Sequence, residues 1–118
     1  MASVDLETRT TDFALRIVRL FSALPKTTEV QVLGKQLLRS GTSIGTHYRE
    51  AKRAKSTLDF INKIEGALQL DEACYWLELI EKSAIVTAKR LASLREEAVE
   101  LTKILVTVVK RAKEKMKK

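Results

Sequence analysis

Several residue types that build common functional sites are scarce in this sequence. It contains one cysteine, one histidine, one proline and four glycines in 118 residues. Cys74 has no partner for an intramolecular disulfide, which fits a reducing compartment. Cys74 and His47 are too few ligands for a zinc or haem site, and the Glu-x-x-His pairs of a di-iron bundle are missing. We therefore expect neither a metal nor a cofactor.

Long apolar runs are also missing from the sequence. No run approaches the ~20 residues that a membrane-spanning helix needs. The stretch 1–11 is polar and lacks the apolar segment of a signal peptide. These features predict a cytoplasmic protein with no membrane partner.

Recognisable catalytic motifs are absent as well. The segment 41–45, Gly-Thr-Ser-Ile-Gly, lacks the Lys-Ser/Thr ending of a phosphate-binding loop and lies inside a helical pattern. A nucleophilic pair of Cys74 and His47 would need a third group to orient the base, and none can be named. We therefore predict no catalytic residue, and we expect that the chain is not an enzyme.

The residues that are abundant favour helices. Ala, Leu, Lys, Glu and Arg dominate the sequence, and apolar positions recur every three or four residues. The length fits one domain, residues 1–118, with one core. The pattern predicts an all-α, antiparallel, up-down-up-down four-helix bundle. The predicted helices span about 12–24, 28–54, 57–82 and 87–114.

Polar residues and one proline mark the expected helix ends. Asp12, Ser56 and Thr87 each precede an apolar stripe and can accept the unpaired N–H groups of a first turn. Pro25 is expected to end the first helix, because the residue before a proline is driven away from helical geometry.

Two features predict self-association. Gly41 and Gly45 lie four residues apart on one helix face, where each costs about 1 kcal/mol relative to alanine unless another backbone packs closely against it. In the last helix the aliphatic residues cover more than one side, which is typical of a helix buried all round. We predict a subunit interface formed by Gly41, Gly45, Ile104, Val106 and Val109.

Charge is distributed unevenly around a formal net charge of +7. Residues 29–55 contain six bases and two acids, whereas residues 56–81 contain six acids and one base. One interpretation is that the basic second helix pairs with the acidic third helix, within or between subunits. The other is that the bases neutralise nucleic-acid phosphates without reading sequence. The candidate phosphate contacts are Lys35, Arg39, Lys52, Arg53, Lys110, Arg111 and Lys113.

Aromatic and partly buried polar residues have a structural interpretation. The few aromatics lie on packing stripes, so base stacking is not indicated. Tyr48 also lies on an apolar stripe, and Asp71 or Glu72 falls near the packed face of the third helix. A partly buried carboxylate needs a cation or hydrogen-bond donors. We predict a structural network of Tyr48, Arg49 and Glu72, with Arg49 as the cation.

Two strings identify a family resemblance: the string from Leu37 to Ala51, Leu-Leu-Arg-Ser-Gly-Thr-Ser-Ile-Gly-Thr-His-Tyr-Arg-Glu-Ala, and the later Tyr-Trp-Leu-Glu-Leu of 75–79. The chain resembles the four-helix-bundle proteins encoded in intervening sequences of bacterial 23S ribosomal RNA genes, also called the S23 ribosomal protein family. The resemblance covers about residues 12–112. Two positions depart from the family pattern: His47 stands where asparagine is usual, and Gln69 stands where glutamate is frequent.

The resemblance implies a pentameric ring of antiparallel bundles whose role is largely undefined. The family is similar in architecture to the accessory variability protein of diversity-generating retroelements, a basic pentameric barrel that binds nucleic acid and a reverse transcriptase. We therefore predict a non-enzymatic homo-oligomer, most simply a pentamer, that binds RNA or DNA through phosphate contacts. A nucleic-acid-processing protein is a further expected partner. The alternative is a protein-interaction scaffold with no direct nucleic-acid contact.

Overall fold

The structure, a computed structural model, describes residues 5–117. All regular structure within these residues is α-helical, so the predicted all-α class is confirmed. There are four helical segments, and a break at Leu68 and Gln69 divides the third into two parts. The helices are α1 (Leu6–Ala23), α2 (Thr28–Lys52), α3 (Thr57–Ala67), α4 (Leu70–Lys82) and α5 (Ala88–Met116).

The first helix starts earlier than the sequence pattern predicted. α1 begins at Leu6, and the carboxylate of Asp5 accepts hydrogen bonds from the backbone N–H of Thr8 at 3.0 Å and from its hydroxyl at 2.7 Å. These bonds lower the pKa of Asp5, the Thr8 hydroxyl contributing most. Asp12 lies exposed in the middle of the helix. The prediction of Asp12 as the N-cap is therefore wrong, because the buried Leu6 and Thr10 extend the core-facing stripe by one turn.

The other helix ends follow local sequence signals. The Ser56 hydroxyl accepts from the Asp59 N–H at 3.0 Å, and the Thr87 hydroxyl accepts from the Arg90 N–H at 3.3 Å, so both predicted caps are present. α1 ends at Ala23, two residues before the proline. α2 ends at Lys52 rather than at residue 54.

The third segment is not the continuous helix that was predicted. After α3 the backbone makes tighter turns, with Leu68 N–H donating to Glu65 at 3.1 Å and Gln69 N–H donating to Gly66 at 3.2 Å. A Cβ at Gly66 would lie 2.9 Å from His47 Nδ1 of α2. Glycine at this position therefore lets α3 approach α2 closely beside the break.

The turn from α4 to α5 contains a residue in the left-handed region. Ala84 has φ 60°. Its N–H donates to Glu81 at 3.0 Å, and the N–H of Ile85 donates to Ile80 at 3.3 Å. This is the hydrogen-bond pattern that ends many helices, in which glycine usually occupies the left-handed position.

The core lies along α2 and α5. α2 packs against α1, α3 and α4, while α5 packs against α3, α4 and, less extensively, α1. In the sequence, a three-four spacing predicts an inward stripe on the last helix formed by Leu91, Leu94, Ala98, Leu101, Leu105, Val108 and Ala112. Within this stripe only Val108 is partly buried, and Val109 takes the inward position instead. An α-helix drifts relative to a seven-residue repeat, which accounts for the change. The prediction of Val109 in a subunit interface is therefore wrong, because it packs inside its own chain.

The glycines of α2 also pack within the chain. A Cβ at Gly41 would lie 2.9 Å from Ile17 Cγ1, and one at Gly45 would lie 3.5 Å from the Thr10 hydroxyl, both on α1. Both glycines are buried. The close approach inferred from them is real, but its partner is α1 and not a second subunit, so Gly41 and Gly45 do not form the predicted interface.

Candidate nucleic-acid interface

One end of the molecule brings together the last turns of α2 and α5 and the first turn of α3. Residues 46–63 contain five Lys or Arg and two acids, and residues 108–117 contain five and one. Lysine and arginine are favourable in the last turns of α2 and α5, where the backbone carbonyls carry partial negative charge. Cations at this end therefore have two explanations: they stabilise the helix ends, and they form a basic surface.

A cavity of about 570 Å³ opens at this basic end. Four cationic side chains line it, Lys52, Lys55, Arg111 and Lys115, and among the described residues no carboxylate does. The other lining residues are small, hydroxylated or apolar. They are Ala51, Ala54, Ser56, Thr57, Phe60, Val108 and Ala112. These eleven residues define the basic cavity.

A second cavity of about 730 Å³ lies beside the first and shares Lys55 and Ser56 with it. Its lining mixes both signs of charge. The residues are Thr46, Arg49, Glu50, Arg53, Lys55, Ser56, Asp59 and Lys63. The carboxylates make this cavity a poorer anion site than the basic cavity, although both contribute cations to the same end of the molecule.

Ion pairs occupy some of the predicted phosphate contacts. Lys52 Nζ lies 3.4 Å from a Glu7 carboxylate oxygen, and Lys113 Nζ lies 3.4 Å from one of Glu65. Within residues 5–117 no carboxylate lies within ion-pair distance of Arg111. Arg111 is also exposed and lines the basic cavity. Lys55 and Lys115, which also line the basic cavity, likewise form no ion pair within these residues.

The seven predicted phosphate contacts do not form one surface. Lys52, Arg53, Lys110, Arg111 and Lys113 lie near the basic end, at the last turns of α2 and α5. Lys35 and Arg39 lie on the earlier part of α2; Lys35 is about 25 Å from Lys52 along the helix at ~1.5 Å per residue. The two groups cannot contact the same few phosphates.

Arg39 has a structural partner. Its guanidinium donates to Gln36 at 3.1 Å and to a Glu72 oxygen at 2.5 Å, and the indole N–H of Trp76 donates to the same Glu72 oxygen at 3.1 Å. The predicted network therefore exists around Glu72, but its cation is Arg39 and not Arg49. Arg49 instead donates to the Thr11 hydroxyl at 3.3 Å.

Tyr48 is the remaining member of the predicted network. Its ring is partly buried and packs against the core. The hydrogen bonds to Glu72 come from Arg39 and Trp76, so Tyr48 does not belong to that network. Its contribution is packing between α2 and its neighbours.

Two of the predicted interface residues remain at the surface. Val106 is 49% exposed, and Ile104 is partly buried at the edge of the core. Val99, one heptad before Val106, is also 49% exposed. α5 therefore exposes two valines one heptad apart, whereas Gly41 and Gly45 are buried.

The remaining reactive side chains are those of Cys74 and His47. Burial raises the pKa of the Cys74 thiol, and the nearby Asp71 raises it further, against a hydrogen bond with Thr102. His47 Nδ1 lies 3.5 Å from a Glu50 oxygen. Within residues 5–117 no three His, Cys, Asp or Glu side chains are placed to hold a metal ion.

None of the helices in residues 5–117 combines the length and the apolar character needed to cross a bilayer.

Sequence reasoning missed four residues that line the basic cavity. Lys55 and Lys115 carry charge to its rim, and Phe60 and Val108 form part of its apolar wall. Phe60 and Val108 sat on core stripes in the sequence, and their partial exposure depends on how α3 meets α5. The dense lysines of the C-terminal segment were the only available signal for Lys115.

Comparison with known proteins identifies a family and similar solved structures. The profile of the family described as 23S rRNA-intervening sequence protein matches residues 3–107. A crystal structure at 1.70 Å from Bacteroides thetaiotaomicron VPI-5482, described as a protein of unknown function from the S23 ribosomal protein family, is 40% identical in sequence. Its TM-score is 0.82, and the match covers 88% of this chain and 94% of that one. No match is found among curated proteins.

Proposed function

We propose that this chain, which belongs to the 23S rRNA-intervening sequence protein family, is a non-enzymatic basic protein that binds RNA or DNA through phosphate contacts. The observation that carries the proposal is the basic cavity, where four cations converge and no carboxylate of residues 5–117 lines the wall. Arginine and lysine neutralise phosphates and release counterions, a source of affinity that does not depend on base sequence. Binding is therefore weakly sequence-dependent and sensitive to salt.

The distribution of charge favours nucleic acid, and not an acidic surface of the same chain, as the partner of the bases at the basic end. Two acids of α4 already have partners on α2 and α5, since Glu72 binds Arg39 and Glu81 lies 2.8 Å from Arg95. By contrast, the bases in the last turn of α2 and in α5 do not all form ion pairs with carboxylates. The surplus positive charge remains at the basic end, on the outside of the molecule.

A mobility-shift experiment tests the proposal. With RNA and with DNA, we expect a shift at about 50 mM salt that weakens roughly a hundredfold by about 200 mM if some four phosphates are neutralised. Arg111→Glu should weaken binding strongly, because Arg111 lines the basic cavity and no carboxylate of residues 5–117 lies within ion-pair distance of it. Lys89→Glu is the matched control, since it makes the same charge change at an exposed base in the first turn of α5, at the other end of that helix from Arg111. No shift with either nucleic acid at the lower salt would refute the proposal.

The alternative, a scaffold that meets an acidic protein partner, is separated by affinity purification with and without nuclease. A partner bridged by nucleic acid is lost after nuclease treatment, whereas a directly bound protein is retained. Retention of every partner after nuclease, together with no mobility shift, would favour the scaffold.

We further propose an antiparallel arrangement of the bundle and self-association, in keeping with a pentameric ring. Antiparallel packing is supported by Gly41 meeting Ile17 while Gly45, later in α2, meets the earlier Thr10. Self-association is supported by the exposed Val99 and Val106 on α5. A ring would place several basic ends on one assembly and raise affinity through effective concentration.

Light scattering after size-exclusion chromatography tests self-association. We expect a homo-oligomer at micromolar concentration and its loss in Val106→Lys. Val32→Lys is the matched control, because Val32 is 56% exposed on α2. A monomeric wild-type protein would contradict the proposal. So would an oligomer that persists in Val106→Lys but is lost in Val32→Lys.

A further inference from the structure

The basic cavity has an apolar interior that phosphate contacts alone do not explain. Ala51 and Ala112 are buried, and Ala54, Phe60 and Val108 are partly buried, all on the lining of the same cavity. The four cations lie around this apolar surface and are themselves exposed. A surface that only neutralised a phosphate backbone would need the cations and not the concave apolar wall.

The size and composition of the cavity fit a small planar ligand with a negative charge. Its volume of about 570 Å³ lies within the ~300–1,000 Å³ typical of small-molecule sites, which combine apolar walls with a few polar groups. One aromatic ring, that of Phe60, is available for contact with a planar group. Aromatic side chains provide such contacts for unstacked bases in single-strand-binding proteins.

We propose that the basic cavity binds one unpaired nucleotide of a nucleic-acid strand. The base lies against Phe60 and Val108, and the adjoining phosphates are held by Arg111, Lys115 and the lysines of α2 and its following turn. This inference rests on the proposed nucleic-acid binding and adds a ligand to it. Bases in a duplex are stacked and paired and cannot enter a cavity, so the site prefers single strands and unpaired ends.

Small side chains keep the cavity open. Ala51, Ala54 and Ala112 contribute only methyl groups to the lining. Ala54 is partly exposed and follows the end of α2, so a larger side chain there extends into the cavity without displacing a buried core residue. Ala54→Leu therefore reduces the space for a base while every cation of the cavity remains.

Fluorescence anisotropy with the full chain tests the inference. The probes are a labelled single-stranded RNA of about 12 nucleotides, a single-stranded DNA of the same sequence and the corresponding blunt DNA duplex. This length exceeds the several nucleotides that a single-strand-binding site typically covers. We expect at least one single strand to bind about tenfold more tightly than the duplex in wild type. Ala54→Leu should remove most of this preference, so that single strands and duplex bind with similar affinity. Ala92→Leu is the matched control, because Ala92 is exposed on α5 away from the basic cavity.

A second variant and a competition experiment keep the test independent of one substitution. Phe60→Ala should also reduce the preference for single strands, with thermal unfolding measured to establish that the variant is folded. A nucleoside monophosphate should displace the single-stranded probe at a concentration where inorganic phosphate does not, because only the former carries a base. Equal displacement by the two competitors would overturn the inference.

Failure of this inference differs from failure of the proposed function. Salt-sensitive binding of single strands and duplex with equal affinity, unaffected by Ala54→Leu, would overturn the nucleotide site and leave phosphate binding standing. No binding of any probe at low salt would overturn both. Binding of anionic lipid vesicles that Ala54→Leu abolishes, without a preference among the nucleic acids, would also overturn the nucleotide site.

Discussion

Arg39 of α2 and Glu72 of α4 form an ion pair with a nitrogen–oxygen distance of 2.5 Å, and Trp76 donates to the same carboxylate oxygen. The side chain of Arg39 is 54% exposed, and that of Glu72 is 35% exposed. Because solvent screens the pair, we expect it to contribute to the free energy of unfolding as a surface ion pair does, and less than a buried one. Its importance is that it aligns α2 with the segment after the break in the third helical segment.

A double-mutant cycle measures this pair. For Arg39→Ala and Glu72→Ala we expect a coupling of about 0.5–1 kcal/mol in the free energy of unfolding, because both side chains are partly solvated. The same cycle with Arg49→Ala should give a coupling near zero, since Arg49 bonds to Thr11 instead. Urea denaturation provides the free energies. A larger coupling with Arg49 than with Arg39 would contradict the observed register.

Gly41 and Gly45 give opposite predictions for the same substitution. In Gly41→Ala the new methyl group meets the fully buried Ile17 at 2.9 Å, so overpacking of about 1–3 kcal/mol outweighs the gain in helix propensity. In Gly45→Ala the nearest atom is 3.5 Å away, an ordinary contact, so the protein should gain up to about 1 kcal/mol. Thermal unfolding measures both. Stabilisation by Gly41→Ala would show that Ile17 repacks freely.

Ala84 is the clearest site for stabilisation. Its φ of 60° disfavours any residue with a Cβ, and the hydrogen bonds around it are those in which glycine is usual. Ala84→Gly should raise the free energy of unfolding by about 1 kcal/mol, because the strain in the folded state outweighs the added flexibility of the unfolded chain. Ser83→Gly is the control, since Ser83 has φ −77° and should not gain from glycine. A loss of stability in Ala84→Gly would contradict the assigned turn.

Cys74 should react slowly with alkylating reagents. Burial, and then the charge of Asp71, raise the pKa of its thiol, so less thiolate is present near neutral pH than for an exposed cysteine. The rate of iodoacetamide modification should rise at a higher pH in the folded protein than in urea. By linkage, the folded state prefers the protonated thiol, so this group's contribution to stability is present at neutral pH and is lost as the pH rises above the ordinary thiol value of 9.0.

The control for this prediction is the same measurement on Asp71→Asn, which removes the smaller of the two causes. The pH profile of alkylation should move partway towards that of the unfolded chain. Identical profiles for folded and unfolded protein would show that the Cys74 thiol is more accessible than the structure indicates.

The sequence predicted several local features because they depend on neighbouring residues alone. Ser56 and Thr87 cap helices because a hydroxyl reaches N–H groups three residues ahead. The proline limited α1 for a similarly local reason. Asp12 failed as a cap although its chemistry was suitable, because the buried Leu6 made an earlier helical turn favourable through packing.

The candidate site was less predictable. The lysines and arginines of the last turns of α2 and α5 were identified individually, but their convergence with Lys55 around one cavity depends on three helices meeting at the same end. Phe60 has the sequence pattern of a core residue and becomes part of the cavity wall because α3 and α5 do not close over it. Periodicity assigns a residue to a face of its helix and does not show whether a neighbour covers that face completely.

By itself, the sequence determined the all-α class, most helix ends and the family, because helix periodicity, capping and motif strings are written in consecutive residues. The tertiary structure alone decided which partner each surface meets. It placed Gly41 against Ile17 and Glu72 beside Arg39, and it opened the basic cavity between α2, α3 and α5. The physical reason is that contacts between helices depend on their relative register and spacing, and these result from packing the whole core at once.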